Sequence, residues 1–105
     1  GLFVKEVKIS TQGEELAVTL SGIIDSGNAE DFFMTVNAAF EFSPRDVHFV
    51  CDALEFIDST TLGVFVKLFK HIRSAGKNMR LSGLQPRIKK LFTICALDKI
   101  MEIEA

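Results

Sequence analysis

A run of oxygen-bearing side chains, Asp58-Ser59-Thr60-Thr61, stands between the apolar pair Phe56-Ile57 and Leu62. Carboxylate and hydroxyl oxygens accept hydrogen bonds from the first-turn amides of a helix, which is why these residue types are common helix caps. Amides left over at such a terminus, together with the positive end of the helix dipole, attract anions. A phosphate carried by Ser59 would therefore fit at a helix start without unfolding it. Spacing alone leaves two readings open here, an ordinary cap or a modifiable hydroxyl.

Nucleophilic catalysis by Ser59 would need a base, and the chain offers only His48 and His71. If a helix starts at Ser59, His71 lies about three turns along it, too far to take the proton directly. His48 precedes the site on a strand and reaches it only by an unexpected chain path. No G-x-S-x-G elbow, Walker A loop or dinucleotide fingerprint is present, so no cofactor is expected. Asp25 and Asp58 could form an acid/base or magnesium pair, or act as a cap and a loop-ordering carboxylate, the simpler roles. No metal site and no catalytic residue are expected, and Asp52 and Glu55 read as solvated loop charges. A small hydrolase or phosphoryl-transfer enzyme using Ser59 is the alternative of another class.

These residues need elements to hold them. Leu2 to Ile9 reads as a strand, Ser10 to Glu14 as a turn, and Leu16, Val18 and Leu20 alternate with smaller residues as a second strand, giving a hairpin. Gly22 to Gly27 is a connector. Asn28 then caps a helix, with Asp31 in a capping-box position and Phe32, Phe33, Val36, Ala39 and Phe40 at helical spacing; Ser43-Pro44 ends it. Val47 to Cys51 is nearly continuous apolar sequence, as in a strand covered on both faces. Leu62, Phe65, Val66, Phe69 and Ile72 form the apolar stripe of a second helix closed by Gly76. Met79 to Leu84 reads as a strand. Pro86 opens a third helix with Ile88, Leu91, Phe92 and Cys95 inward, and Ile100 to Ile103 closes the chain as a strand. The order β-β-α-β-α-β-α-β predicts a compact α/β domain over residues 1–105, a mixed sheet with a parallel core.

Composition agrees with a single folded unit. The 105 residues are 48% hydrophobic and 25% charged, which argues against disorder. Residues 1–58 hold three basic and eleven acidic side chains, a balance of −8, and residues 59–105 hold nine and three, a balance of +6. Such asymmetry marks either a partner surface or two mutually attracting halves. No dense basic run suggests nucleic acid. No apolar run approaches the roughly 18 residues that span a membrane, and no secretory leader is seen, so a cytoplasmic location is expected. Cys51 and Cys95 are expected to be reduced core residues. Gly1 stands where an initiator Met would, as in a trimmed tag or a processed start.

Three segments carry a family likeness. Phe56-Ile57-Asp58-Ser59-Thr60-Thr61-Leu62-Gly63 resembles the F-[IM]-D-S-[ST]-G-L-G signature of anti-sigma-factor antagonists and related STAS domains. Leu20-Ser21-Gly22-Ile23-Ile24-Asp25 resembles their L-x-G-x-[LI]-D, and Ala96-Leu97-Asp98-Lys99-Ile100 their G-L-D-K-[LIV]. The likeness spans essentially the whole chain. It implies a STAS fold and partner switching. The unmodified protein would bind an anti-sigma factor that is also a serine kinase. Phosphorylation of Ser59 would release it, and a phosphatase would reset it. Asp25, Asp58, Ser59, Thr60 and Thr61 would form the partner surface, with Thr60 as second-choice acceptor. Thr61 departs from the family, standing where Gly is usual. A STAS regulatory module of a larger signalling assembly is the alternative within the same class.

Overall fold

The computed structural model describes residues 4–105. Strands β1 (Val7–Gln12) and β2 (Glu15–Ile24) precede helix α1 (Ala29–Phe42) and strand β3 (Asp46–Ile57). Helix α2 (Ser59–Ser74), strand β4 (Met79–Ser82), helix α3 (Pro86–Ile94), a 3-10 turn at Leu97–Lys99 and strand β5 (Glu102–Ile103) complete the chain. The element order is the expected one, with the short turn added. Of the strand expected from Leu2, residues 2 and 3 lie outside the described residues, as does Gly1, and β1 begins later and runs further.

The five strands lie in the sheet in chain order, β1-β2-β3-β4-β5, with β1 antiparallel to β2 and every later pair parallel. The three crossovers step the same way along the sheet; parallel crossovers are almost invariably right-handed, which puts α1, α2 and α3 on one face. β3 shows the result. Val47, Phe49 and Cys51 are buried, whereas His48 and Val50 are half-buried and Asp52 is exposed. The expectation of a strand covered on both faces is thus corrected. The strand is also longer than its apolar run, so Asp52 and Glu55 lie on β3 and not in a loop. On the helix-free face Arg80 of β4 reaches across β3 to Glu15 of β2, donating from Nε at 3.1 Å and from a terminal nitrogen at 2.9 Å, and also pairs with Glu104.

The core is aromatic. Phe65 of α2 meets Phe32 of α1, Phe49 of β3 and Phe92 of α3 edge to face, with centroids 5.3, 5.4 and 5.3 Å away. Such pairs add to the stabilisation from their buried area. The inward face of α2 is Thr61, Val64, Phe65, Leu68 and Ile72. The stripe read from sequence is therefore rotated: Leu62, Val66 and Phe69 are only half-buried. In α3, Ile88 and Phe92 are buried but Leu91 is partly exposed. Cys95 follows the helix as an exposed thiol, which corrects its placement in the core. The expected closing strand shrinks to two residues because Ala96, at φ 58, starts the 3-10 turn.

Phe65→Ala should lose about 3–5 kcal/mol of stability, since it removes the ring shared by three elements. Phe69→Ala should lose clearly less. Chemical denaturation of both variants checks this, and equal losses would contradict the rotated face.

Candidate functional site

The loops after β2, β3 and β4 gather at the carboxyl edge of the parallel strands. One side chain joins the first two. Asp58 is extended (φ −111, ψ −174) and caps α2: its Oδ1 accepts from the Thr61 amide at 3.0 Å. Its other oxygen, Oδ2, accepts from the Ser26 amide at 2.8 Å, 32 residues earlier in the chain. Asp58 therefore acts as cap and loop tie together. These bonds favour the ionised form. The Thr61 amide chiefly, then those of Ser26 and Thr60 and the Thr61 hydroxyl, hold the carboxyl below the usual aspartate range, against a smaller opposing effect of burial.

Thr61 is buried, the one fully buried polar side chain among the described residues. Its hydroxyl donates to the Ile24 carbonyl at 2.6 Å and lies 3.0 Å from Asp58 Oδ1. The end of β2, the Asp58 cap and the first turn of α2 are thereby tied into one unit. This corrects its expected place on the partner surface: the side chain points inward and cannot touch a partner. It also explains the rotated face of α2, because a hydrogen-bonded Thr turns its position into the core.

Asp25 belongs to the tied loop. Its Oδ1 accepts from Gly27 N at 2.9 Å, and its carbonyl accepts from the amides of Asn28 and Ala29. Asn28 makes no side-chain cap on α1. Instead its Oδ1 accepts from Asp25 N at 2.9 Å and its Nδ2 donates to the Ile23 carbonyl at 3.0 Å. The predicted capping role is thus replaced by a loop-ordering one. Upstream, Gly22 has φ +69 beside a break in the β2–β3 register, a conformation that favours glycine. Ser59 and Thr60, the first two residues of α2, are both exposed.

The histidines lie elsewhere. His48 sits near the start of β3, about 30 Å of strand before the site, and its Nε2 is 2.6 Å from the Ser82 hydroxyl. His71 is in the last turn of α2, with Nε2 3.2 Å from Glu41. Cys51 is buried, and burial with Asp52 nearby pushes its thiol up to about 12, so it stays protonated.

One feature escaped sequence reasoning. An open, mostly apolar cleft of about 390 Å³ lies between α3 and the β3–α2 junction, lined by Phe56, Ile57, Ser59, Leu62, Leu91 and Cys95 among others. Phe56 is 47% exposed and its register partner Ile23 is 53% exposed, so apolar surface continues from the cleft onto the sheet edge. The available signal was Leu91 and Cys95 spaced along α3 in excess of what Ile88 and Phe92 need for the core. No helix among the described residues is long and apolar enough to cross a membrane.

The STAS domain family model matches residues 6–105. The anti-sigma-B factor antagonist of Bacillus subtilis (strain 168) is 37% identical over 99 residues, covering 94% of this chain and 90% of the relative. Its counterpart in Staphylococcus aureus (strain NCTC 8325 / PS 47) is 25% identical over 97 residues, covering 92% and 90%. Among solved structures, the unphosphorylated anti-sigma factor antagonist SpoIIAA superposes with a TM-score of 0.76 at 16% identity, covering 94% of this chain and 87% of that one. The phosphorylated Bacillus SpoIIAA gives 0.75 at 18%, covering 94% and 91%. At these identities the structural likeness speaks to the fold.

Two outcomes follow from the ties at this edge. Thr61→Val keeps the shape but strands the Ile24 carbonyl, and should lose about 1–3 kcal/mol in chemical denaturation; an unchanged midpoint would make that bond idle. Asp58 has a lowered pKa in the fold, so its contribution is fully present above the ordinary aspartate range, about pH 4. It is lost as pH falls through the lower, folded value. The stability gap between the parent and Asp58→Asn should therefore be widest above about pH 4 and close below it, as read from denaturation at several pH values.

Proposed function

The chain belongs to the STAS domain family, and from that premise we propose that it is an anti-sigma-factor antagonist working by partner switching with Ser59 as its switch. The observation that carries this reading is the exposed Ser59 hydroxyl at the first position of a 16-residue helix, directly after the Asp58 cap. The antagonists of B. subtilis and S. aureus, similar over nearly the whole chain, supply the partner class. Unmodified, the protein binds an anti-sigma factor and frees the sigma factor. The partner's kinase activity moves the γ-phosphoryl group of ATP to the Ser59 oxygen, with loss of the hydroxyl proton and release of ADP. A phosphatase restores the hydroxyl. We place these events in the cytoplasm, and we take the chain to be a binding protein and not an enzyme, a reading supported by the distance of His48 and His71 from Ser59.

Charge explains the direction of the switch. The phosphate brings about −1.5 to −2 charges at pH 7. The helix terminus favours this by about 0.3–1 kcal/mol, while Asp58 and the nearby Asp25 oppose it. With the local effects opposed and the helix start rigidly tied, little refolding is expected. The effect falls on the interface, where like charges brought together cost several kcal/mol. Asp25, Asp58, Ser59 and Thr60 form the contact surface, and the neighbouring cleft offers an apolar foothold. Thr61 supports that surface from beneath.

Ser59→Ala should fold normally, take no phosphate and still bind the anti-sigma partner. Ser59→Asp should fold but bind more weakly, and less weakly than the phosphoprotein, because it carries one charge and not nearly two. Mass spectrometry after incubation with ATP and candidate anti-sigma kinases, followed by calorimetric titration, reads both effects. Phosphate on Thr60 with Ser59 unmodified would move the switch by one residue. Equal affinity of the modified and unmodified proteins would remove it.

A further inference from the structure

The cleft beside Ser59 is unevenly charged. Among its lining residues Glu55 and Asp58 are acidic and Arg87 alone is basic. Arg87 is the second residue of α3, after Pro86, and is exposed. Among the described residues it takes part in no ion pair: those belong to His71 and Arg80. Among the described residues, Arg45, Arg73 and Arg80 all donate side-chain hydrogen bonds and Arg87 donates none. An arginine lining an apolar wall lays its stem on that wall and carries its guanidinium to the rim. Ser59 lines the same cleft from the opposite side, at the start of α2.

We propose that Arg87 is the receptor for the phosphate on Ser59, its guanidinium spanning the cleft mouth to donate to the phosphate oxygens in the modified protein. The inference rests on the switch reading of Ser59. The chemistry suits it. A phosphate added next to Glu55 and Asp58 makes a third acidic group at a cleft with one cation. A guanidinium without a partner is the group drawn to it, and its planar fork matches two phosphate oxygens at once. The cleft, about 390 Å³, is at the small end of the roughly 300–1,000 Å³ typical of ligand pockets, and Ser59 and Arg87 both line it. Lys89 and Lys90, the other cations of α3, do not line it.

The test uses the full chain with phosphoserine installed at position 59 during translation, so that no kinase is needed. The second ionisation of the phosphate, ordinarily near pH 6, is followed by phosphorus NMR in the parent and in Arg87→Gln. Arg87 is exposed, and circular dichroism confirms that the variant folds. Loss of the guanidinium should raise that pKa by about 0.5–1 unit, a shift discounted for solvent exposure. Arg87→Lys, which keeps the charge but not the fork, should recover part of the shift. Coincident titrations of the parent and Arg87→Gln would overturn the pairing. Failure of every kinase to modify Ser59 would count instead against the switch, since the installed phosphate bypasses that step.

Discussion

A single carboxylate holds the functional edge together. Asp58 gives one oxygen to the amide of Thr61 and the other to the amide of Ser26, so one residue both starts α2 and fixes the loop that follows β2. Neither loop has much apolar material of its own; the loop after β2 has internal bonds through Asp25 and Asn28, but it is Asp58 that fastens it to the start of α2. The Thr61 hydroxyl doubles the connection through the Ile24 carbonyl. With both in place, Ser59 projects from a terminus that cannot move independently of the sheet. A switch residue on such a base changes the surface by what is attached to it, and needs no rearrangement beneath.

The sheet order explains why the site is on this edge and faces this way. Because each crossover steps in the same direction, all three helices share one face, and their starts line one edge. α3 then stands beside the start of α2, and the gap between them is the apolar cleft. The other face of the sheet is mostly polar, with Arg80 linked to Glu15 and Glu104 and His48 to Ser82. Gly83, at φ +74, fits this arrangement for a local reason: a side chain there would run into the Asp52 carboxylate, with only 2.3 Å to its nearest oxygen.

Much of this was legible in the residues themselves. Alternation from Leu16 to Leu20 marked β2, and the step from Ile57 to Asp58-Ser59 marked the start of α2, because strand periodicity and cap chemistry act over a few residues. What stayed hidden depends on contacts distant in sequence. The face of α2 could not be read from hydrophobicity alone, since Thr61 turns inward to reach a carbonyl 37 residues away. Cys95 looked like core, yet α3 is only nine residues long and the chain departs at Ala96 before the thiol can be covered. β3 ran past its apolar stretch through Asp52 and Glu55, because pairing with β2 continues to Ile57. The cleft belongs to two elements at once, and only its α3 wall, Leu91 and Cys95, left a trace in the sequence.

The chain-order sheet also bears on how the protein can be made. A polypeptide leaving the ribosome presents its N-terminal segments first. Here each new strand finds its neighbour already present, so the sheet can grow by accretion, without waiting for a distant piece to be threaded between two others. The contacts that close last span modest stretches of sequence, which favours rapid folding even for parallel strands. Once α2 has emerged, the strands and loops that hold Ser59 are all available. The wall carrying Arg87 arrives later, on the last fifth of the chain. A nascent chain could therefore possess an ordered switch residue before it possesses the cleft beside it.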